Sequence, residues 1–170
     1  VADALDVPLD VVVAKKIGAP GNPEYALGAV TSDGSVWRNE DAARGFGSDE
    51  EYFHRQREIE AENAREKAER YRGERPSPEL FEQTVVVVDD GVATGSTIRA
   101  CVQQVNAAGA SQTVVAIPVG PPDTITELRE MADDVICLRT PRNFMAVGQF
   151  YVDFDQVSDE EAMTYLEFES

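Results

Sequence analysis

The chain has 170 residues, 32 Asp and Glu against 15 Lys and Arg, and a formal charge of −17. That length fits one domain with a sizeable core, and the negative balance argues against a nucleic-acid partner, whose phosphates need a cationic surface. No apolar run approaches the ~18 residues of a membrane span, no signal-peptide pattern opens the chain, and Cys101 and Cys137 read as reduced core thiols of a cytoplasmic protein.

The acids are spread along the whole chain, while only Lys15, Lys16 and Lys67 are lysines. That distribution is expected of a salt-adapted protein, in which a concentrated electrolyte screens self-repulsion. Val1 to Leu5 read as the last turns of a helix, so the chain is expected to lack its N-terminal portion. Asp10 to Ala14 are predicted as the first strand, ending in Lys15 and Lys16. The glycines and prolines between Ile17 and Pro23 predict a loop. Tyr25–Val30 and Ser35–Arg38 follow as short strands around a turn at Ser32-Asp33-Gly34. A capping box, Ser48-x-x-Glu51, opens a charged helix from Asp49 to Arg72. Its apolar residues Tyr52, Phe53, Ile59 and Tyr71 are too few for a deep core face, so it is expected to lean over the surface.

The stretch from Thr84 to Thr97 carries the chemistry. Val85 to Val88 suit a parallel strand covered on both faces. Asp89 and Asp90 stand at its carboxyl end, where open α/β sheets bind ligands. Gly91 and Gly95 permit a tight turn and a close backbone approach. Ser96 and Thr97 open the next helix, whose free N–H groups and dipole favour an anion. Phosphate in the loop and hydroxyls on the carboxylates together describe a sugar phosphate. A P-loop would need lysine after Gly95, where Ser96 stands, and the Gly-x-Gly-x-x-Gly dinucleotide pattern is missing.

Beyond the loop, Ile98, Cys101, Val102 and Val105 fall at helical spacing, and Gly109 supplies a stop. Thr113–Pro118 and Val135–Leu138 read as strands. Thr124-x-x-Glu127 is predicted to cap a helix with Ile125, Leu128 and Met131 inward, and Ser158-x-x-Glu161 a last short one. Strands alternating with helices predict a right-handed parallel sheet.

The run Val85-Val86-Val87-Val88-Asp89-Asp90-Gly91-Val92-Ala93-Thr94-Gly95-Ser96-Thr97 resembles the phosphoribosyl pyrophosphate (PRPP) loop of type I phosphoribosyltransferases. Lys15 to Glu24 and Tyr151 to Glu161 resemble a less-characterised branch of that family, so the likeness spans nearly the whole chain. It implies an α/β fold in a single domain over residues 1–170, a mostly parallel twisted sheet flanked by helices, with residues 18–80 inserted as a hood over the active-site edge. It further implies that Asp89 and Asp90 bind the ribose 2- and 3-hydroxyls. Gly91, Val92, Ala93, Thr94, Gly95, Ser96 and Thr97 would hold the 5-phosphate through their backbone and the Thr94, Ser96 and Thr97 hydroxyls. The implied reaction moves the 5-phosphoribosyl group from PRPP to a nitrogen acceptor, a nucleobase, and releases pyrophosphate. Its transition state would resemble an oxocarbenium ion, with Mg2+ bound alongside PRPP.

Nucleotide salvage and a homodimer are the expected setting, and a PRPP-sensing domain without turnover is the alternative. The family's second loop, which contacts pyrophosphate, has no counterpart here and is expected upstream of Val1. Ala93 stands where enzymes acting on 6-oxopurines carry an aspartate, and Leu138 roughly where they carry a lysine. Hypoxanthine and guanine are therefore disfavoured. Lys15 and Lys16 are candidates for pyrophosphate, as cations expected on the same sheet edge as the aspartates. Phe144, Tyr151 and Asp153, after the last strand, are candidates for the acceptor base, on which aromatics could stack. His54 reads as a solvated surface residue, and Trp37 as packed beneath the inserted segment.

Overall fold

A computed structural model describes residues 1–167. A parallel sheet in the order β4-β5-β6 is built from β4 (Thr84–Val88), β5 (Gln112–Val119) and β6 (Asp134–Arg139). Val87 pairs with Val115, and Val115 in turn with Val135, so one row of β-branched side chains points to a single face. Two helices cover that face, α4 (Ser96–Ala107) and α5 (Pro122–Leu128). They bury Ile98, Val102, Ile125 and Leu128 against Val115, Ile117 and Val135, with Met131 packed at the margin. The opposite face differs from the expected double cover. Val88 and Ile136 are each 50% exposed there, and Leu138 is 77% exposed. An apolar run of valines fits a strand buried on one face as well as on two, because β-branched residues also favour half-buried strands.

A second sheet is antiparallel, in the order β1-β2-β3, with β1 at Ala14–Ala19, β2 at Asn22–Thr31 and β3 at Val36–Arg38. The first strand thus begins where Asp10–Ala14 was expected to end, and it runs through the segment read as a loop. Pro20 and Gly21 form only a two-residue turn, since Ala19 already pairs with Asn22. Gly18 sits where the bulged strand crosses its partner; a Cβ there would lie 2.7 Å from the Pro23 carbonyl oxygen. Val11 and Val13 do not pair in this sheet but pack on Ala64, Ala68 and Tyr71 of the long charged helix. The second turn is as predicted: the Asp33 carboxylate accepts from the Thr31 hydroxyl at 2.7 Å and the Ser35 N–H at 2.9 Å. Lys15 and Lys16 therefore lie inside β1, opposite Val30 and Ala29, and do not leave a strand of the parallel sheet.

A short helix absent from the sequence reading, α2 (Glu40–Gly45), is capped by Asn39, whose side chain accepts from the Ala42 N–H at 2.9 Å. The long charged helix α3 (Glu50–Arg72) starts at Asp49, one residue after the expected cap, and Asp49 accepts from the Tyr52 N–H at 2.7 Å. It buries more than its large apolar residues suggest. Ala61, Ala64 and Ala68 form a stripe that, with Phe53, is buried, whereas Ile59 is 47% exposed. Small side chains let the helix lie close on β1 and β2. Its last turns hold α6 (Asp159–Glu167), where Asp159 meets Lys67 at 2.9 Å and the Tyr71 hydroxyl at 2.6 Å. Ser158 caps α6 as predicted, accepting from the Glu161 N–H at 3.1 Å. Helix α4 packs on all three strands of the antiparallel sheet as well as on β4 and β5, so it joins the two sheets.

Candidate functional site

Between β4 and α4 the chain presents two carboxylates and then a turn. Asp89 and Asp90 are both exposed at the strand end, and the Asp90 N–H donates to the Asp89 carboxylate at 3.0 Å. The protein around the Asp89 carboxylate desolvates it and pushes its pKa above the ordinary range, with repulsion from Asp90 added and that N–H opposing. Desolvation raises Asp90 as well. Gly91 and Val92 are buried, and the Val92 N–H donates to the Val119 carbonyl at 2.9 Å, so it anchors the loop to β5. Ala93 and Thr94 are exposed, and the Thr94 and Ser96 hydroxyls lie 3.2 Å apart.

Gly95 turns the chain into α4 with φ +75°. No side chain caps this helix, and the first bond of its ladder runs from the Arg99 N–H to the Gly95 carbonyl at 2.9 Å. The N–H groups of Ser96, Thr97 and Ile98 precede that ladder and are available to an anion. Hydroxyl-accepting carboxylates and an N–H cradle thus stand side by side, an arrangement suited to a phosphorylated polyol.

Of the candidates outside the loop, Tyr151 reaches the site directly. Its hydroxyl donates to the Asp90 carbonyl at 2.5 Å, and its ring lies 5.0 Å from that of Phe154. Phe144 stacks on Phe150 at 5.4 Å, and Asp153 is exposed in the same segment. Neither Lys15 nor Lys16 forms an ion pair with Asp89 or Asp90 among the described residues. His54 is exposed beside Glu58 at 3.6 Å. No three ligating side chains converge as a metal cluster among the described residues.

Two residues that matter to the loop were missed by sequence reasoning. Thr124 is no cap, because α5 starts two residues earlier at Pro122; its hydroxyl donates instead to the Ala93 carbonyl at 2.9 Å. Arg99 is only 6% exposed, ion-paired with Glu127, with its guanidinium 4.7 Å from the ring of Trp37. Trp37, Arg38, Thr94, Arg99, Thr124 and Glu127 line a cavity of about 350 Å³ beside the loop. The available signal was an arginine inside an otherwise apolar helical stretch, Ile98 to Val102.

The family model for the phosphoribosyl transferase domain matches residues 1–155. The chain belongs to the phosphoribosyl transferase family. A provisionally named phosphoribosyl transferase, found in two strains of Mycobacterium tuberculosis, is 41% identical over 167 residues. The match covers 98% of this chain, and the chain spans 38% of that relative's length. The crystal structure of TT1426 from Thermus thermophilus superposes with a TM-score of 0.80 at 40% identity, covering 99% of this chain and 80% of that one. The mixed α/β architecture is therefore that of a phosphoribosyl transferase domain. Among the described residues no helix is long and apolar enough to cross a membrane.

Proposed function

We propose that this phosphoribosyl transferase binds PRPP and transfers its 5-phosphoribosyl group to a nitrogen of a nucleobase-like acceptor. The single observation that carries the reading is the contiguity of the exposed Asp89–Asp90 pair with the uncapped N-terminus of α4. On it, Asp89 and Asp90 accept from the ribose 2- and 3-hydroxyls. The loop from Gly91 to Thr97, anchored on β5 by the Val92 N–H, holds the 5-phosphate through its remaining backbone N–H groups and the Thr94, Ser96 and Thr97 hydroxyls. The acceptor nitrogen forms a bond to C1 of the ribose as the C1–O bond to pyrophosphate breaks, pyrophosphate leaves with the electron pair, and the nitrogen's proton passes to solvent. The carboxylates are suited to a second task in that step, since negative charge near the ring favours an oxocarbenium-like centre.

Two adjacent exposed carboxylates fit a magnesium ion held mainly through substrate oxygens and water. When bound, that ion would stabilise charge on the leaving pyrophosphate. Tyr151, with Phe144 and Asp153 in the same segment, is assigned to the acceptor side, because its hydroxyl is fixed on Asp90. Lys15 and Lys16 are assigned to pyrophosphate on charge alone. Residues 18–80, carrying β2, β3, α2 and α3, are taken as a hood. A salt-adapted cytoplasm, a homodimer and a role in nucleotide salvage complete the reading; the charge of −17 supports the first.

Pyrophosphate release with PRPP, magnesium and a panel of bases in high salt tests the transferase. Release with at least one non-oxopurine base is expected. PRPP binding with no release on any base would make the chain a sensing domain instead.

A further inference from the structure

We propose that Arg99 is a positioning residue of the phosphate site, a buried cation that acts on the anion through the loop above it; this rests on the phosphate reading of residues 91–97. Arg99 sits one turn into α4, and side chains on a helix lean back towards its N-terminus. Its Nε is 3.2 Å from the point that a Cβ on Gly95 would occupy, and its Nη2 is 3.7 Å from the same point. The guanidinium thus lies directly beneath the turn that presents the Ser96 and Thr97 N–H groups.

Two elements hold it there. The Trp37 ring of β3 lies against its guanidinium and Glu127 of α5 pairs with its Nη2, while Thr124 of α5 fixes the Ala93 carbonyl of the same loop. Its Nε is buried and has no hydrogen-bond partner. Arg38 and Arg72 also carry a buried, unpaired Nε, but that of Arg99 is the one set against the Gly95 turn at the start of α4. Beside an uncapped helix N-terminus it adds a full charge to the partial charge of the helix dipole, in a place where water screens poorly. Glu127 is 54% exposed and offsets this charge from the solvent side.

The roles make predictions of opposite sign. Removing the charge at Arg99 weakens anion binding, and removing the compensating charge at Glu127 strengthens it. A merely structural ion pair would weaken binding from either side. Binding of ribose 5-phosphate is measured calorimetrically for the intact chain and for Arg99→Met, Arg99→Lys and Glu127→Gln, with folding checked by circular dichroism. Arg99→Met is expected to lose about tenfold in affinity, Arg99→Lys to recover most of it, and Glu127→Gln to gain about threefold. Unchanged affinity in a folded Arg99→Met, or loss in Glu127→Gln, overturns the proposal while leaving the phosphate loop intact. If Arg99→Met does not fold, the sign of the Glu127→Gln change decides. No binding of ribose 5-phosphate by the intact chain overturns the phosphate reading itself, and this inference with it.

Discussion

The Tyr151 hydroxyl donates to the Asp90 backbone carbonyl at 2.5 Å, joining the segment after β6 to the carboxylate pair across 61 residues of chain. Desolvation, then the negative charges of Asp90 and Asp89, raise the pKa of the Tyr151 phenol, which keeps it protonated and able to donate.

The same crowding costs stability at neutral pH. Asp89 has a folded pKa above its unfolded one, chiefly through desolvation, so the folded state holds its proton more tightly. Its favourable contribution is full below the unfolded pKa and disappears as pH rises through the folded one. Asp89→Asn is therefore expected to melt at a higher temperature than the parent at pH 7, with the gain shrinking as pH falls into the carboxylate range. Thermal melts across that range check it; a gain that stays constant or grows towards acid contradicts the assignment.

Gly95 is required by both backbone and neighbours. At φ +75° a side chain is strained, and a Cβ would come 2.9 Å from the Thr124 methyl. Gly95→Ala should cost about 1–2 kcal/mol from the backbone alone. It should also weaken PRPP binding by about tenfold or more, because the N–H cradle must shift. Denaturant titration and calorimetry measure the two losses separately.

The alanine stripe of α3 leaves no room for larger residues. Ala64 is fully buried beside Val13 and Ala68. Ala64→Leu should destabilise the fold by about 1–3 kcal/mol through overpacking. An equilibrium denaturation midpoint that is unchanged would mean that α3 does not pack on Val11 and Val13 as described.

With a formal charge of −17, self-repulsion opposes the compact state. Raising salt from about 0.1 M to about 1 M shortens the screening length from roughly 10 Å to roughly 3 Å. The melting temperature should rise over that interval, although the surface pairs of Lys67 and Arg70 with Asp159 weaken. A falling melting temperature would show that these pairs outweigh the repulsion.

The β4–loop–α4 unit could be read from sequence because every level agreed: a valine run, paired acids, turn glycines and a helical apolar period. The first strand was misplaced because Val11, Val12 and Val13 have strand propensity, whereas pairing with β2 starts at Ala14. Helix α2 is six residues long and gave too short a period to detect. The buried face of α3 consists of alanines, which a search for large apolar residues passes over. Arg99 and Thr124 depend on contacts with Trp37, Glu127 and Ala93 that lie 28 or more residues away along the chain, and no local pattern announces them.

The most direct test of the central claim is calorimetry of PRPP with magnesium in high salt, on the parent chain and on the Asp89→Ala, Asp90→Ala double variant. Saturable binding by the parent is expected, and none by a double variant that keeps its circular dichroism spectrum. No binding by the folded parent, or undiminished affinity in the double variant, would contradict it.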